Sequence, residues 1–182
     1  PACVGLILLT PQIIIIFSGK DFVNAILAGR ILSLRVILSP VNTFYIVQLF
    51  IPMKKDKNNI FTTGFAACVN IVLNFILIPM YYQNGAALAT VIAEVTEFIF
   101  NLYFSKKIIS FKEAYENIWI YIIGCFPILF MWEGLKLLVG DSIWIILIVL
   151  PSILTYAFIL KMFRVESYEI IKRKILYMVR KN

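Results

Sequence analysis

The stretch NIVLNFILIPMYYQNGAALATVIAE, residues 70–94, contains two apolar runs joined by a short polar turn. The first run starts at about residue 59 and ends at Pro79, and the second extends from about 85 to about 105. Each is about 20 residues long, which is the length that an α-helix needs to cross the hydrocarbon core of a bilayer. The turn, Tyr82 to Gly85, contains the turn-prone pair Asn-Gly. We therefore predict two spanning helices with a tight connection.

The whole chain has the composition of an integral membrane protein. Of its 182 residues, 62% are hydrophobic and 15% are charged, whereas soluble domains have roughly 45–50% apolar and about 25% charged residues. A water-soluble fold of this size could not bury so much apolar surface. The uninterrupted apolar runs lack the alternation of membrane β-strands. In lipid the backbone must then be hydrogen-bonded within helices, and we predict an all-α, polytopic transmembrane helix bundle.

Six segments reach or approach spanning length, and together they make a predicted bundle over residues 1–161. These segments lie at about 1–18, 30–51, 59–79, 85–105, 117–138 and 142–161. The basic tail at 162–182 has the spacing of an amphipathic helix on the inner leaflet. The chain begins at Pro1 in an apolar run, without a preceding charged region, so we expect the first helix to be incomplete.

Lys and Arg concentrate on one side of this predicted topology. They occupy the 52–58 loop, the 106–117 loop and the tail, while the opposite side has only Lys20 and Lys136. Positive loops mark the cytoplasmic side, so we predict a multi-pass protein with a cytoplasmic C-terminus. The net charge of +7 then concerns topology and anionic lipid. No basic patch is interleaved with aromatic residues, and we expect no nucleic-acid partner.

Residues 70–94 also carry a motif. The pattern N-x-x-L-N-x-x-L-I-P, a short turn, and G-A-A-x-A-T-x-x-x-E resembles the one that joins two late helices in Wzx-type O-antigen and polysaccharide flippases, members of the MATE-like multidrug/oligosaccharidyl-lipid/polysaccharide exporter superfamily. A weaker similarity extends through residues 11–22 and Arg30-Ile31-Leu32. The resemblance implies that the six segments correspond to about the last six of the fourteen helices typical of the family. The family often has glycine where Tyr82 stands, so we expect the turn to depend on Asn84-Gly85.

The resemblance implies a transporter rather than an enzyme. Such a protein flips a polyprenyl-pyrophosphate-linked oligosaccharide, an O-antigen or capsule repeat unit, across the bacterial inner membrane by alternating access, without a cofactor. Its expected partners are this lipid-linked oligosaccharide, membrane lipids and the polysaccharide polymerase machinery.

Four residues are the candidate substrate-binding groups. Ionisable side chains inside a span are costly, and this makes them functional candidates. Arg35 lies inside the second segment with Arg30 five residues earlier, and arginine forms bidentate hydrogen bonds with phosphate oxygens. The alternative is that these side chains extend to the outer lipid headgroups. Asn70 and Asn74 share one helix face and should find partners on a neighbouring helix or contact the substrate.

Two carboxylates, Glu94 and Glu97, are the candidate ion-coupling groups. They lie one turn apart on the fourth segment, and Glu94 falls on the family motif. A carboxylate inside a membrane can take part in proton transfer. The alternative is a structural role, in which Glu94 forms a hydrogen bond or an ion pair with an arginine.

A scaffold without transport is one alternative, against which the intramembrane Arg and Glu residues argue. Two other functions also remain open from the sequence. One is a multidrug exporter of the same superfamily, against which the paired arginines argue. The other is a polytopic enzyme of polysaccharide assembly, such as an O-antigen polymerase. Such enzymes usually present large loops with catalytic groups. Here the longest connection has about a dozen residues, there is no histidine, and the three cysteines lack metal-site spacing.

Overall fold

A computed structural model describes residues 1–106, 122–139 and 149–162 of the chain. These residues are mostly helical, and none of them forms a β-strand, which confirms the all-α prediction for this part. The helices are α1 Ala2–Ser18, α2 Ile26–Leu32, α3 Arg35–Phe44, α4 Asp56–Ser105, α5 Phe126–Val139 and α6 Val149–Met162. A 3-10 helix, Lys20–Ala25, precedes α2, and a π-helix, Tyr45–Phe50, follows α3.

Two helical segments in the described part are long and apolar enough to cross a membrane. They are Lys20–Phe50, with 31 residues, and Asp56–Ser105, with 50 residues. The first starts about ten residues before the predicted boundary at 30, because the polar residues Lys20 and Asp21 enter the 3-10 helix. Their length and composition support the prediction that the chain contains membrane-spanning helices.

The long helix α4 is a hairpin. Its 50 residues would extend about 75 Å as one straight helix, but the backbone breaks at Tyr82, where φ is 50° and ψ is −129°. The limbs on either side, 56–81 and 83–105, run antiparallel. The rings of Phe65 and Phe100 lie 4.9 Å apart between centroids, and Thr63 donates a hydrogen bond of 2.9 Å to Glu97.

The hairpin corrects the predicted turn. Asn84 and Gly85 lie inside the second limb, and the left-handed φ falls on Tyr82, the position where the resembled family often has glycine. Gly85 has a different role, because a Cβ there would lie 2.2 Å from the carbonyl oxygen of Leu77. The glycine permits the close approach of the two limbs, as expected for a small-residue contact between membrane helices.

The segment Lys20–Phe50 runs parallel to the second limb of α4. The side chain of Gln83 donates a hydrogen bond to the backbone oxygen of Asn24, and the side chain of Asn101 donates one to Asn42. Each pair is separated by 59 residues in the sequence. A constant separation means that the two helices keep one register along their contact.

The chain divides into two compact units. The larger comprises residues 6–114 with Ala2, and it contains the segments described above. In it, Thr10 of α1 packs on Gly29 of α2, where a Cβ would lie 2.7 Å from the Thr10 methyl group.

The described part of the second unit contains α5 and α6, and the hydroxyl oxygen of Thr155 on α6 lies 3.8 Å from the sulfur of Met131. α5 and α6 fall on the predicted spans at 117–138 and 142–161. The 106–117 loop after Lys106, and the tail after Met162, lie outside the described residues.

Candidate functional site

Arg35 is the first residue of α3, directly after a 3-10-type turn, with helical dihedral angles at Ser33 and Leu34, that separates α3 from α2. In this turn the backbone N–H of Leu34 donates to the carbonyl of Ile31, and that of Val36 donates to the carbonyl of Ser33. The Arg35 Nε donates a hydrogen bond of 2.7 Å to Oε1 of Glu94 on the second limb of α4. The two candidate membrane segments are thus joined by an ion pair, which is the structural alternative that the sequence left open for Glu94.

Both members of this pair keep unused hydrogen-bonding capacity. A guanidinium has five N–H donors, and within the described residues Arg35 uses only Nε, with its side chain 46% exposed. The Glu94 side chain is 14% exposed, and its second oxygen, Oε2, is buried without a partner in the described part of the chain. The two terminal amino groups of Arg35 can therefore donate hydrogen bonds to an anion, and Oε2 of Glu94 can accept a proton.

Two buried asparagines extend the site toward the end of the second limb. Asn42 is 4% exposed and Asn101 is fully buried. Asn42 donates a hydrogen bond of 3.0 Å to the backbone oxygen of Glu94, and Asn101 donates one of 3.2 Å to Oδ1 of Asn42. Neither asparagine is among the binding residues predicted from the sequence.

Glu97 is held apart from the Arg35–Glu94 pair. Its Oε1 accepts a hydrogen bond of 2.9 Å from the hydroxyl of Thr63, on the first limb of α4. The same hydroxyl lies 3.3 Å from Oδ1 of Asn59. Since a hydroxyl has one hydrogen to donate, the shorter, charge-assisted contact with Glu97 is the stronger one. The two predicted coupling carboxylates thus have different partners.

Asn70 and Asn74 do share a helix face, but they bond to each other. The Asn74 amide donates a hydrogen bond of 2.9 Å to Oδ1 of Asn70, within the first limb. The expected partner on a neighbouring helix is absent from the described residues, and Oδ1 of Asn74 is buried without a partner there. Spacing four residues apart makes the intrahelical bond geometrically available, and this explains why it replaces the interhelical one.

Arg30 lies on α2, before the 3-10-type turn, and its side chain is exposed. It forms no ion pair with any residue that the structure describes. The structure therefore brings together Arg35 and Glu94 of the six predicted site residues, and leaves Arg30, Glu97 and the Asn70–Asn74 pair in separate surroundings.

The sequence contained a signal for Asn42 and Asn101. Arg35 and Asn42 are seven residues apart, and so are Glu94 and Asn101. Seven residues make about two helical turns, so each pair lies on one helix face. A repeated spacing of polar residues in two apolar segments is typical of helices that pair through those residues.

No protein-family model matches this chain, and no curated protein and no solved structure matches it either.

Proposed function

We propose that this chain is the C-terminal, six-span part of a fourteen-helix exporter that flips a polyprenyl-pyrophosphate-linked oligosaccharide across a bacterial inner membrane by alternating access. It is multi-pass with a cytoplasmic C-terminus, and it carries out no chemical conversion. The lipid-linked oligosaccharide and the surrounding lipids are its partners, and a polysaccharide polymerase uses the flipped product. The apolar helical segments and the motif at 70–94 support the membrane part of the proposal and the resemblance to exporters.

The Arg35–Glu94 pair is the observation that carries this function. An ionised side chain within an apolar segment is costly unless it has a task or a partner. Arg35 is bound through one N–H only among the described residues, so its two amino groups can receive a phosphate in the bidentate manner that arginine favours. A pyrophosphate is the anionic part of the proposed substrate, and Arg35 is its binding residue.

The same pair provides a coupling between substrate and ion. A phosphate bound to Arg35 competes with Glu94 for the guanidinium. A carboxylate that loses its cationic partner in apolar surroundings is costly in its ionised form, and proton uptake by Glu94 relieves this cost. Substrate binding and protonation thereby become linked at two residues that are in contact.

Export by substituted proteins tests this proposal. The protein that carries this chain is expressed in cells lacking their own exporter, and surface polysaccharide is measured. Arg35→Ala should reduce export about tenfold to a hundredfold, because a hydrogen bond to a charged group contributes about 1.5–3 kcal/mol. Arg35→Lys should restore part of it, since lysine keeps the charge and loses the fork. Lys57→Ala, in the first turn of α4, is the matched control and should export normally.

Glu94→Gln tests the coupling role separately. Glutamine keeps an acceptor oxygen for Arg35 but cannot take up a proton. We expect residual export that no longer responds to the proton gradient across the membrane. Wild-type export by both Arg35 variants, or an unchanged response to the gradient in Glu94→Gln, would contradict the proposed roles.

A further inference from the structure

Asn42 and Asn101 form a hydrogen-bonded chain that ends on the backbone of Glu94. The first link runs from Nδ2 of Asn101 to Oδ1 of Asn42, and the second from Nδ2 of Asn42 to the Glu94 carbonyl oxygen. Both side chains are more than nine-tenths buried. In such surroundings, a hydrogen bond between polar groups is strongly preferred to none.

The direction of this chain follows from its chemistry. A carbonyl oxygen only accepts hydrogen bonds, so Asn42 must turn its NH₂ group toward Glu94 and its oxygen toward Asn101. Asn101 must then present its own NH₂ group, and its oxygen points away, without a partner in the described residues. Each amide orientation is therefore dictated by the Glu94 carbonyl.

The chain also determines how the two helices align. Asn42 lies two turns after Arg35 on one helix, and Asn101 lies two turns after Glu94 on the other. If one helix slid by a single turn, about 5.4 Å, both the amide bonds and the ion pair would be lost. A single buried asparagine pair sets helix register in this way in coiled coils, at a cost in stability.

We propose that Asn42, oriented by Asn101, is a positioning residue that holds Glu94 against Arg35. This role rests on the proposed function, in which that pair binds the substrate anion and exchanges a proton. Asn42 acts on the backbone turn that carries Glu94, and Asn101 acts through Asn42. Neither residue contacts the substrate.

The test measures the Glu94 carboxyl directly and needs no transport. The full protein, reconstituted in lipid, is treated with a hydrophobic carbodiimide, which labels protonated carboxyl groups, and labelling at Glu94 is quantified by peptide mass spectrometry over a pH series. Asn42→Leu and Asn101→Leu should each increase labelling of Glu94 by about twofold or more, the low end of the coupling between contacting residues. The reason is that a loosened Arg35 contact leaves the Glu94 carboxyl group more available to the reagent.

Glu97 is the internal control of this experiment. Within the described residues Glu94 forms its ion pair with Arg35 on α3, and Glu97, one turn away on the same helix, is held by Thr63. Because the hydrogen bonds of Asn42 go to Glu94 and Asn101 and that of Glu97 comes from Thr63, labelling of Glu97 should stay at the wild-type level in every variant.

Thr43→Val is the matched control variant. It changes a neighbour of Asn42 on the same helix, and the Thr43 hydroxyl bonds within that helix, to the backbone oxygen of Ser39. The substitution removes a polar group beside Asn42 without touching the chain of amides, so Glu94 labelling should remain unchanged.

A double variant distinguishes positioning from a general structural effect. Arg35→Ala should increase Glu94 labelling by itself, and adding Asn42→Leu should increase it no further, because Asn42 affects that labelling by holding Glu94 against Arg35. Unchanged labelling in Asn42→Leu, or additive effects in the double variant, would overturn the proposal. If Asn42→Leu does not fold, Asn101→Leu takes its place, alone and combined with Arg35→Ala. Unchanged labelling or additive effects would then overturn the proposal in the same way. Absence of sugar export by the wild type, together with the expected labelling pattern, would refute the proposed function and leave the positioning role standing.

Discussion

Arg35 and Glu94 are 59 residues apart in the sequence, yet Nε of the first lies 2.7 Å from Oε1 of the second. The same separation of 59 recurs between Asn24 and Gln83 and between Asn42 and Asn101. The ion pair is thus one of three polar contacts in a single parallel register. Because all three contacts depend on that register, a measurement of the register tests all of them.

Substitutions of the two members of the ion pair should differ in their effect on protein stability. Arg35→Gln leaves the mostly buried Glu94 carboxylate without a cation, whereas Glu94→Gln leaves a guanidinium that is half exposed and reaches solvent. We expect Arg35→Gln to lower the free energy of unfolding more than Glu94→Gln, by on the order of 1 kcal/mol, the lower range for an unsatisfied buried group. Denaturant unfolding in mixed micelles measures both values. Arg30→Gln is the control and should change little, and equal losses in both pair variants would count against this asymmetry.

The register predicts a specific cross-link. Ala28 and Ala87 are both buried and have the same separation of 59 as the polar pairs. With Cys3, Cys68 and Cys125 replaced, Ala28→Cys with Ala87→Cys should react within one chain with a short bifunctional thiol reagent. The pairing is read as a shift in gel mobility and by mass spectrometry.

The matched control for that cross-link moves one partner by about one helical turn. Ala28→Cys with Val91→Cys places the second thiol roughly 6 Å further along the limb, although Val91 is also buried. It should cross-link more slowly. Equal rates for both pairs would show that the helices do not hold the register described above.

Tyr82→Gly should stabilise the hairpin. A left-handed φ costs a residue with a Cβ about 1–2 kcal/mol, and the flexibility of glycine in the unfolded chain costs about 0.5–1 kcal/mol. Since the Tyr82 side chain is 73% exposed, little packing is lost, and a net gain of about 0.5–1 kcal/mol is expected. Thermal unfolding in detergent measures the gain. Tyr81→Gly, at a neighbouring helical position, should destabilise, and the turn assignment fails if both variants behave alike.

Gly85→Ala should destabilise the same hairpin. The added methyl group would meet the Leu77 carbonyl at 2.2 Å, and backbone atoms cannot move aside as a flexible side chain can. Overpacking of this kind costs about 1–3 kcal/mol, measured as the loss in free energy of unfolding. Gly64→Ala, on the first limb of α4 with open space around its Cβ position, should be neutral or stabilising because alanine favours helices. A Gly85→Ala protein as stable as Gly64→Ala would rule out the close approach of the two limbs.

Sequence reasoning succeeds where local chemistry decides the structure. The end of α1 at Ser18 and the end of α4 at Ser105 coincide with predicted boundaries, because polar and basic residues follow each apolar run there. The turn between the third and fourth segments lies within its predicted range, but the prediction assigns it to the wrong residues. Asn-Gly is the commoner turn pair, whereas close packing of the limbs requires Gly85 inside a helix and moves the strained φ to Tyr82.

The sequence predicts which residues belong to the candidate site better than it predicts which of them contact each other. The cost of ionisable groups in apolar segments indicates Arg35 and Glu94 from hydropathy alone. The bond between Asn70 and Asn74 replaces the interhelical contact expected for them. The matching spacings of Arg35 to Asn42 and of Glu94 to Asn101 indicate these asparagines, but only the packed second helix shows that Asn101 donates to Asn42.

By itself, the sequence determined the helical class, the apolar segments and the polar residues within them, since hydropathy and turn chemistry act between near neighbours along the chain. Only the tertiary structure decided which polar residues meet. The local pattern relates residues three, four or seven positions apart on one helix, but the separation of 59 arises from packing two helices side by side. That packing, with its buried amides and close backbone contact, turned two isolated ionisable residues into one pair with a free donor fork and a free acceptor.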